Sequence, residues 1–274
     1  MSSTAPSKRE RSTNSLPSGK GLLDWVKPIF GSTVGAKFIV ALTGFALTGF
    51  VITHMIGNLQ IFLGAEAINE YAKKLKDLGP LLWVARIGLL AVFVVHIGLT
   101  IKLKIRSNEA RPVPYSHPQT VQATLASRTM IYTGLAILFF TLFHIAHYTL
   151  GVVQPIHATA DAKELKETKI EGKEASKAAK EIGVLELRDE KGRHDVYRMV
   201  IHGFTNPIIA VLYIIAQLFL MVHLSHGVAS AFQSLGANTP RLQSTWRCLG
   251  WTVTLLVGGG NLAIVASVWL GVIK

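Results

Sequence analysis

Long apolar runs divide this chain into five segments, each long enough for a helix to cross a lipid bilayer. They cover residues 38–63, 81–103, 130–150, 204–228 and 249–273. A shorter stretch, residues 64–79, has apolar and charged positions at helical spacing, which is typical of an amphipathic helix lying along a membrane interface. The pattern therefore predicts an all-α integral membrane bundle with five transmembrane helices.

The composition leaves little chain for a separate soluble domain, because half of the residues are hydrophobic. Residues 1–36 are rich in Ser, Pro, Gly, Lys and Arg and are interpreted as a cytoplasmic tail. Residues 37–274 then form one membrane domain, interrupted at 152–200 by a charged insertion that we expect outside the cytoplasm. The two histidines of the insertion, His157 and His194, are expected on its surface.

The basic residues indicate how the chain is oriented in the membrane. They precede the first span, follow the second and follow the fourth, the last two groups being Lys102, Lys104, Arg106, Arg111, Arg241 and Arg247. By the positive-inside rule this pattern predicts a cytoplasmic N-terminus and a C-terminus on the other side. The formal net charge of +12 is then an orientation bias, and we expect no nucleic-acid interface.

Cys248 is the only cysteine in the chain. A single cysteine excludes an internal disulfide, an iron–sulfur cluster held by this chain alone, and covalent haem attachment through C-x-x-C-H. Any cofactor must therefore be held by histidine or by shape.

Four of the apolar spans contain histidines, which are costly at membrane depth unless they have a partner. They are His54, His96, His144 with His147, and His223 with His226. With the predicted orientation and a rise of 1.5 Å per residue, His54 and His144 lie near the outer face, whereas His96 and His223 lie near the cytoplasmic face. The four histidines thus form two pairs at two depths.

Two imidazoles on facing helices are the axial ligands that a six-coordinate haem iron needs, so two pairs favour two haem groups. Zinc would require three or four convergent ligands. A proton relay or a transporter would be expected to have Asp or Glu beside the histidines, and each ring could instead be satisfied by a helix carbonyl or a hydroxyl. His147 and His226 each follow a candidate ligand by three positions, so we expect them to contact a propionate or a quinone oxygen, or simply to be packed.

Several local motifs resemble one known family. They are T-G-F-A-L-T-G-F-V-I-T-H-M at 43–55, G-A-E-A-I-N at 64–69, V-V-H-I-G at 94–98, T-G at 133–134 with a histidine ten residues after the glycine, and H-L-S-H-G-V at 223–228. Together they resemble the cytochrome b membrane-anchor subunit of bacterial succinate:quinone oxidoreductases, in its single-chain, di-haem form called the cytochrome b558 family. The resemblance covers residues 38–274 apart from the charged insertion.

This resemblance implies two haem b groups, with His54 and His144 binding the haem distal to the cytoplasm and His96 and His223 binding the proximal one. It implies docking of a flavoprotein and an iron–sulfur protein at the cytoplasmic face of a bacterial inner membrane, and electron exchange with menaquinone or another quinone. The dicarboxylate and flavin chemistry of such a succinate dehydrogenase lies in the partner chains, so no catalytic residue is expected here.

Two details of the sequence bear on what the resemblance implies, and two alternative functions stay open. Glu70, and Glu66 beside it, are candidate quinone-site residues, although both could be solvated carboxylates on an interfacial helix. Met221 occupies the position where proton-conducting relatives have a glutamate, which argues against proton conduction by that route. The alternatives are the anchor of a quinol:fumarate reductase and, from another class, a haem-free histidine-containing transporter.

Overall fold

The computed structural model describes residues 31–111, 113, 123–154 and 187–274. The helices of the described residues are α1 (Thr33–Asn58), α2 (Ala65–Asp77), α3 (Pro80–Glu109), α4 (Leu125–His144), α5 (Val196–Thr205), α6 (Pro207–Ser234) and α7 (Gln243–Trp269). A 3₁₀ turn, Leu59–Leu63, extends α1, and a π turn, Ile145–Thr149, extends α4. Five of these helical segments are long and apolar enough to span a membrane, which confirms the prediction of an all-α membrane bundle.

Polar caps and prolines set where several of these helices begin. The Ser32 hydroxyl accepts a hydrogen bond from the Gly35 amide at 2.9 Å at the start of α1, and the Thr124 hydroxyl accepts one from the Ser127 amide at 3.1 Å before α4. Pro80 occupies the first turn of α3, where its missing N–H costs no hydrogen bond. These starts follow from local sequence.

The spanning helices alternate in direction, and α6 lies at the centre of the bundle. It packs against α7, α4 and α1, while α1 also packs against α3. We call the end of the bundle that carries α2 and α5 the α2 end, and the opposite end, where α3 finishes and α4 begins, the far end. Large apolar side chains of α3, such as Trp83, Ile87 and Leu90, are more than half exposed, as expected of a lipid-facing helix.

The α2 end is covered by a buried apolar cluster and by hydrogen bonds of the Asn69 side chain. Ile61, Ile68 and Phe204 belong to one buried cluster together with residues of α6 and α7. The Asn69 side-chain amide donates to Asp195 at 3.1 Å and its carbonyl oxygen accepts from the Tyr197 amide at 3.1 Å. The amphipathic helix expected at residues 64–79 is therefore present as α2, and its partly buried polar face joins it to the chain that leads into α5.

Some predicted boundaries differ from the structure. The fourth span does not begin at Phe204, because the extended Asn206 separates α5 from α6 and its side chain caps α6. The third begins at Leu125 rather than at residue 130, and α1 begins at Thr33, within the predicted tail, of which residues 1–30 lie outside the described residues.

The described part of the predicted insertion packs against the bundle. Residues 187–200 include the start of α5 and a short turn closed by a bridge between Arg188 and His194. His194 is half-buried rather than fully on the surface, and His157 lies outside the described residues. The insertion is thus joined to the membrane domain at its C-terminal part.

Candidate functional site

The first histidine pair lies at the α2 end. His54, near the end of α1, and His144, the last residue of α4, have ring centroids 5.8 Å apart and ring planes at 87°. Phe50 stacks on His54 with a centroid distance of 5.4 Å, and Phe140 lies 5.8 Å from His144. The helix ends thus bring two imidazoles together beside aromatic rings.

The separation of these two rings suits a shared metal ion. If each nitrogen lay about 2 Å from one metal on opposite sides, the two ring centroids would be about 6 Å apart. The observed centroid distance of 5.8 Å is close to that separation. Rings that meet at a right angle are compatible with it, because each imidazole is free to rotate about its own bond to the metal.

The second pair lies nearer the far end, on α3 and α6. His96 and His223 are close enough for their rings to interact electrostatically. Each is held by a threonine of a neighbouring helix: the Thr43 hydroxyl lies 3.0 Å from Nδ1 of His96, and the Thr133 hydroxyl lies 3.1 Å from Nδ1 of His223. The structure therefore brings the rings of His54 and His144 into contact and places His96 and His223 near each other.

The threonine hydrogen bonds determine which ring nitrogen is available to a ligand. The Thr43 hydroxyl donates its proton to the Ile39 carbonyl at 2.8 Å, and the Thr133 hydroxyl donates to the Met130 carbonyl at 3.1 Å. With that proton donated to a backbone carbonyl, each threonine oxygen is an acceptor for the histidine, an arrangement that favours the ring proton on Nδ1. Nε2 keeps its lone pair, which is the state that a metal ligand requires.

A glycine next to each threonine lets the histidine lie against the helix. A Cβ on Gly44 would lie 3.3 Å from Cε1 of His96, and a Cβ on Gly134 would lie 3.4 Å from Cε1 of His223. An added Cβ would therefore already be in tight contact with the ring. Each Thr–Gly step is thus a seat for the histidine of another helix.

These seats were not predicted, although the sequence contains a signal for them. Thr43-Gly44 and Thr133-Gly134 are each followed by a histidine ten residues after the glycine, His54 and His144. Ten residues of helix span about 15 Å. Both α1 and α4 therefore carry one histidine at the α2 end. About 15 Å away along the same helix, each also carries the Thr–Gly seat for a histidine of the other pair.

His147 is buried, with 3% of its surface exposed, and it shares a partner with His144. The Tyr213 hydroxyl of α6 lies 3.1 Å from Nδ1 of His144 and 3.0 Å from Nδ1 of His147. Both histidines lie where α4 passes into its π turn, in which the Leu150 amide donates to the Ile145 carbonyl at 2.9 Å. The contact of Tyr213 with these histidines was not predicted. The only signal for it in the sequence is a residue with a hydroxyl group within an apolar span.

The candidate residue His226, and Met221 at the position where proton-conducting relatives have a glutamate, lie on α6 beside His223. His226 is half-buried one turn beyond it and interacts electrostatically with its ring. Met221 packs against Gly258 of α7. Neither residue has a described hydrogen bond that assigns it a role.

Glu66 and Glu70 project from α2 beside a cleft of about 300 Å³. The cleft is lined by Gln60, Glu66, Ala67, Glu70, Tyr71 and Lys74. Arg193, whose side chain is only 8% exposed, bonds Glu66 at 2.8 Å, Glu70 at 3.0 Å and Asp189 at 2.7 Å. The hydrogen bonds from Arg193 and Lys191 lower the pKa of Glu66 from 4.5 to about 2. Both carboxylates are therefore paired rather than freely solvated.

No three side chains of His, Cys, Asp or Glu converge as a metal site within the described ranges. The paired histidines, with Nε2 available and small residues beside the rings, fit the axial ligands of haem. No family model, curated protein or solved structure matches this chain.

Proposed function

We propose that this chain is the di-haem cytochrome b membrane anchor of a succinate:quinone oxidoreductase. His54 and His144 would hold one haem b, and His96 and His223 the other. Haem b, when bound, supplies one-electron transfer at each position. The chain would pass electrons between an iron–sulfur subunit and menaquinone or another quinone in the membrane.

The observation that carries this proposal is the pairing of histidines from different helices at two levels of the bundle. His54 and His144 have the centroid separation expected of two ligands to one metal. His96 and His223 are held in matching Thr–Gly seats that keep Nε2 free. An imidazole packed only for stability would need neither a neighbouring imidazole nor a defined tautomer.

The far end is the proposed docking surface for the flavoprotein and iron–sulfur subunits. The end of α3 carries a cluster of basic residues, Lys102, Lys104 and Arg106, with Arg111 just beyond it. The positive-inside rule assigns such a cluster to the cytoplasm. The same rule would put the α2 end outside the cytoplasm. The family resemblance implies that the membrane is a bacterial inner membrane, which the chain would cross several times.

Glu70 and Glu66 remain candidate quinone-site residues. Their cleft opens beside the 3₁₀ turn that extends α1, within a few residues of His54. A quinone that is reduced or oxidised there exchanges protons, and Glu70 is the better candidate to carry them, because a pKa of about 2 makes Glu66 a poor proton carrier. Glu70→Gln should therefore slow quinone turnover while leaving the haem content unchanged.

A spectrum of the purified chain tests the main proposal. Reduced bis-histidine haem gives sharp visible bands, and a pigment assay should find two haem groups per chain. A haem-free histidine-containing transporter, the alternative from another class, predicts a colourless protein. A colourless chain that is folded and remains unable to bind added haemin would overturn the proposal.

The anchor of a quinol:fumarate reductase has the same parts and runs in the opposite direction. Co-purification of the flavoprotein and iron–sulfur subunits, followed by assays in both directions, separates the two functions. Midpoint potentials of the two haems relative to the quinone used add a second criterion.

A further inference from the structure

The Tyr213 hydroxyl joins two histidines of the α2 end, at 3.1 Å from His144 and 3.0 Å from His147. We propose that Tyr213 is a positioning residue for the haem at this end and that, through His147, it forms a hydrogen-bond relay that sets the potential of this haem separately from the other. This inference rests on the proposed function. It concerns Tyr213 and His147, neither of which is a ligand.

Tyr213 is firmly placed for this role. Its side chain is only 4% exposed, and its ring meets Phe140 and Phe204 edge to face, each at a centroid distance of 4.9 Å. Rings packed in this way have little freedom to rotate. The hydroxyl therefore stays between the two histidines.

The direction of the relay follows from the number of protons. A hydroxyl has one proton, so Tyr213 donates to one histidine and accepts from the other. A histidine that binds iron through Nε2 carries its proton on Nδ1. His144 therefore donates to Tyr213, and Tyr213 donates to Nδ1 of His147.

The relay continues beyond His147 into a buried polar group. With Nδ1 accepting, His147 carries its proton on Nε2, and the Gln154 side chain lies near its ring. The side-chain oxygen of Gln154 is buried and has no hydrogen-bond partner among the described residues, as is also true of the Tyr148 hydroxyl and of Nε2 of His202. The Gln154 amide donates to the His202 carbonyl at 3.2 Å. Unused acceptors are therefore available where the relay ends.

The other histidine pair lacks such a relay. The hydroxyls of Thr43 and Thr133 donate to backbone carbonyls of their own helices, and their hydrogen-bond chains end there. An acceptor on the Nδ1 proton makes an imidazole more electron-rich and so favours oxidised iron. A longer relay strengthens this effect through cooperativity. Removing Tyr213 should therefore raise the potential of one haem only.

Optical redox titration of the purified full chain tests the relay. Tyr213→Phe should raise the midpoint potential of the haem that His54→Ala removes and leave that of the other haem unchanged. His147→Leu should shift the same haem in the same direction by a smaller amount, because Tyr213 then remains as the partner of His144. Tyr197→Phe is the matched control, since its hydroxyl bonds the Lys274 carbonyl at the surface, 3.1 Å away, and no shift is expected.

The outcomes separate the relay from the proposed function. Two bound haems whose potentials are unchanged by Tyr213→Phe, or a shift in the haem that His54→Ala retains, would overturn the relay alone. If Tyr213→Phe does not fold, an unchanged potential in His147→Leu has the same meaning. A wild-type chain that binds no haem would overturn both proposals.

Discussion

The Thr133 hydroxyl lies 3.1 Å from Nδ1 of His223, on the neighbouring helix, and its own proton is donated to the Met130 carbonyl. One side chain therefore holds the orientation of a candidate ligand and favours the tautomer that carries its proton on Nδ1. The same relation joins Thr43 to His96 at 3.0 Å. The two candidate ligands nearer the far end, His96 and His223, thus depend on threonines that are not themselves candidate ligands.

Thr133→Val keeps the shape of the side chain and removes the hydroxyl. We expect the affinity of the far-end pair for haem to fall about tenfold or more, as is typical when such a partner of a metal-binding histidine is removed. Haem content during stepwise detergent washing measures the loss. Thr133→Ser keeps the hydroxyl and is the control, so equal haem retention by the two variants would contradict the assigned hydrogen bond.

Removing one ligand should affect one haem. His54→Ala and His144→Ala break the same pair, so each should leave one haem per chain, and the double variant should lose nothing more. His96→Ala and His223→Ala should remove the other haem. Reduced-minus-oxidised spectra and pigment assays measure this, and loss of both haems from a folded chain, or of neither, would show that the pairing is wrong.

Gly44 should be much less tolerant of substitution than Gly49 on the same helix. A Cβ on Gly44 would lie 3.3 Å from the His96 ring, whereas nothing lies within 4 Å of a Cβ on Gly49. Gly44→Ala should push the ring aside by a few tenths of an ångström, and this should shift the visible band of the far-end haem or weaken its binding. Gly49→Ala should leave the spectrum as in the wild type, and identical spectra for both variants would argue against the seat.

The elements that could be predicted from sequence are those with local signals. Apolar runs locate the five spans, and Asn206 followed by Pro207 is a readable helix start that the prediction beginning at Phe204 overlooked. The π turn at 145–149 has no such signal, because its distinguishing feature is a backbone hydrogen bond rather than a residue type.

The site could be predicted in part for the same reason. Histidine in an apolar span is conspicuous, so the ligand candidates are identifiable from the chain alone. Tyr213 meets His144 from 69 residues away and Arg193 meets Glu66 from 127 residues away, and no local pattern links such positions. Pairings of this kind depend on how the helices pack.

Arg193 should contribute more to stability than a comparable exposed cation. It bonds three carboxylates and its side chain is 8% exposed, so Arg193→Gln leaves Glu66, Glu70 and Asp189 to repel one another. We expect the melting temperature to fall by several degrees. Lys73→Gln removes a largely exposed i,i+4 pair with Asp77 and should change it very little. Equal melting temperatures for the two variants would mean that the ion pairs of Arg193 contribute nothing beyond a surface ion pair.

The bonds from Arg193 and Lys191 to Glu66 also predict the pH range over which Glu66 stays ionised. Hydrogen bonds from Arg193 and Lys191 lower its pKa from 4.5 to about 2. Because the folded-state value is the lower one, the contribution of Glu66 to stability is complete above pH 4.5 and is lost as the pH falls towards 2. The carboxyl carbon resonance of Glu66, assigned by its loss in Glu66→Gln, should therefore titrate near pH 2. In Arg193→Gln the midpoint should move up towards 4.5, with Lys191 still in place. A wild-type midpoint already near 4.5 would show that Arg193 does not hold this carboxylate in solution.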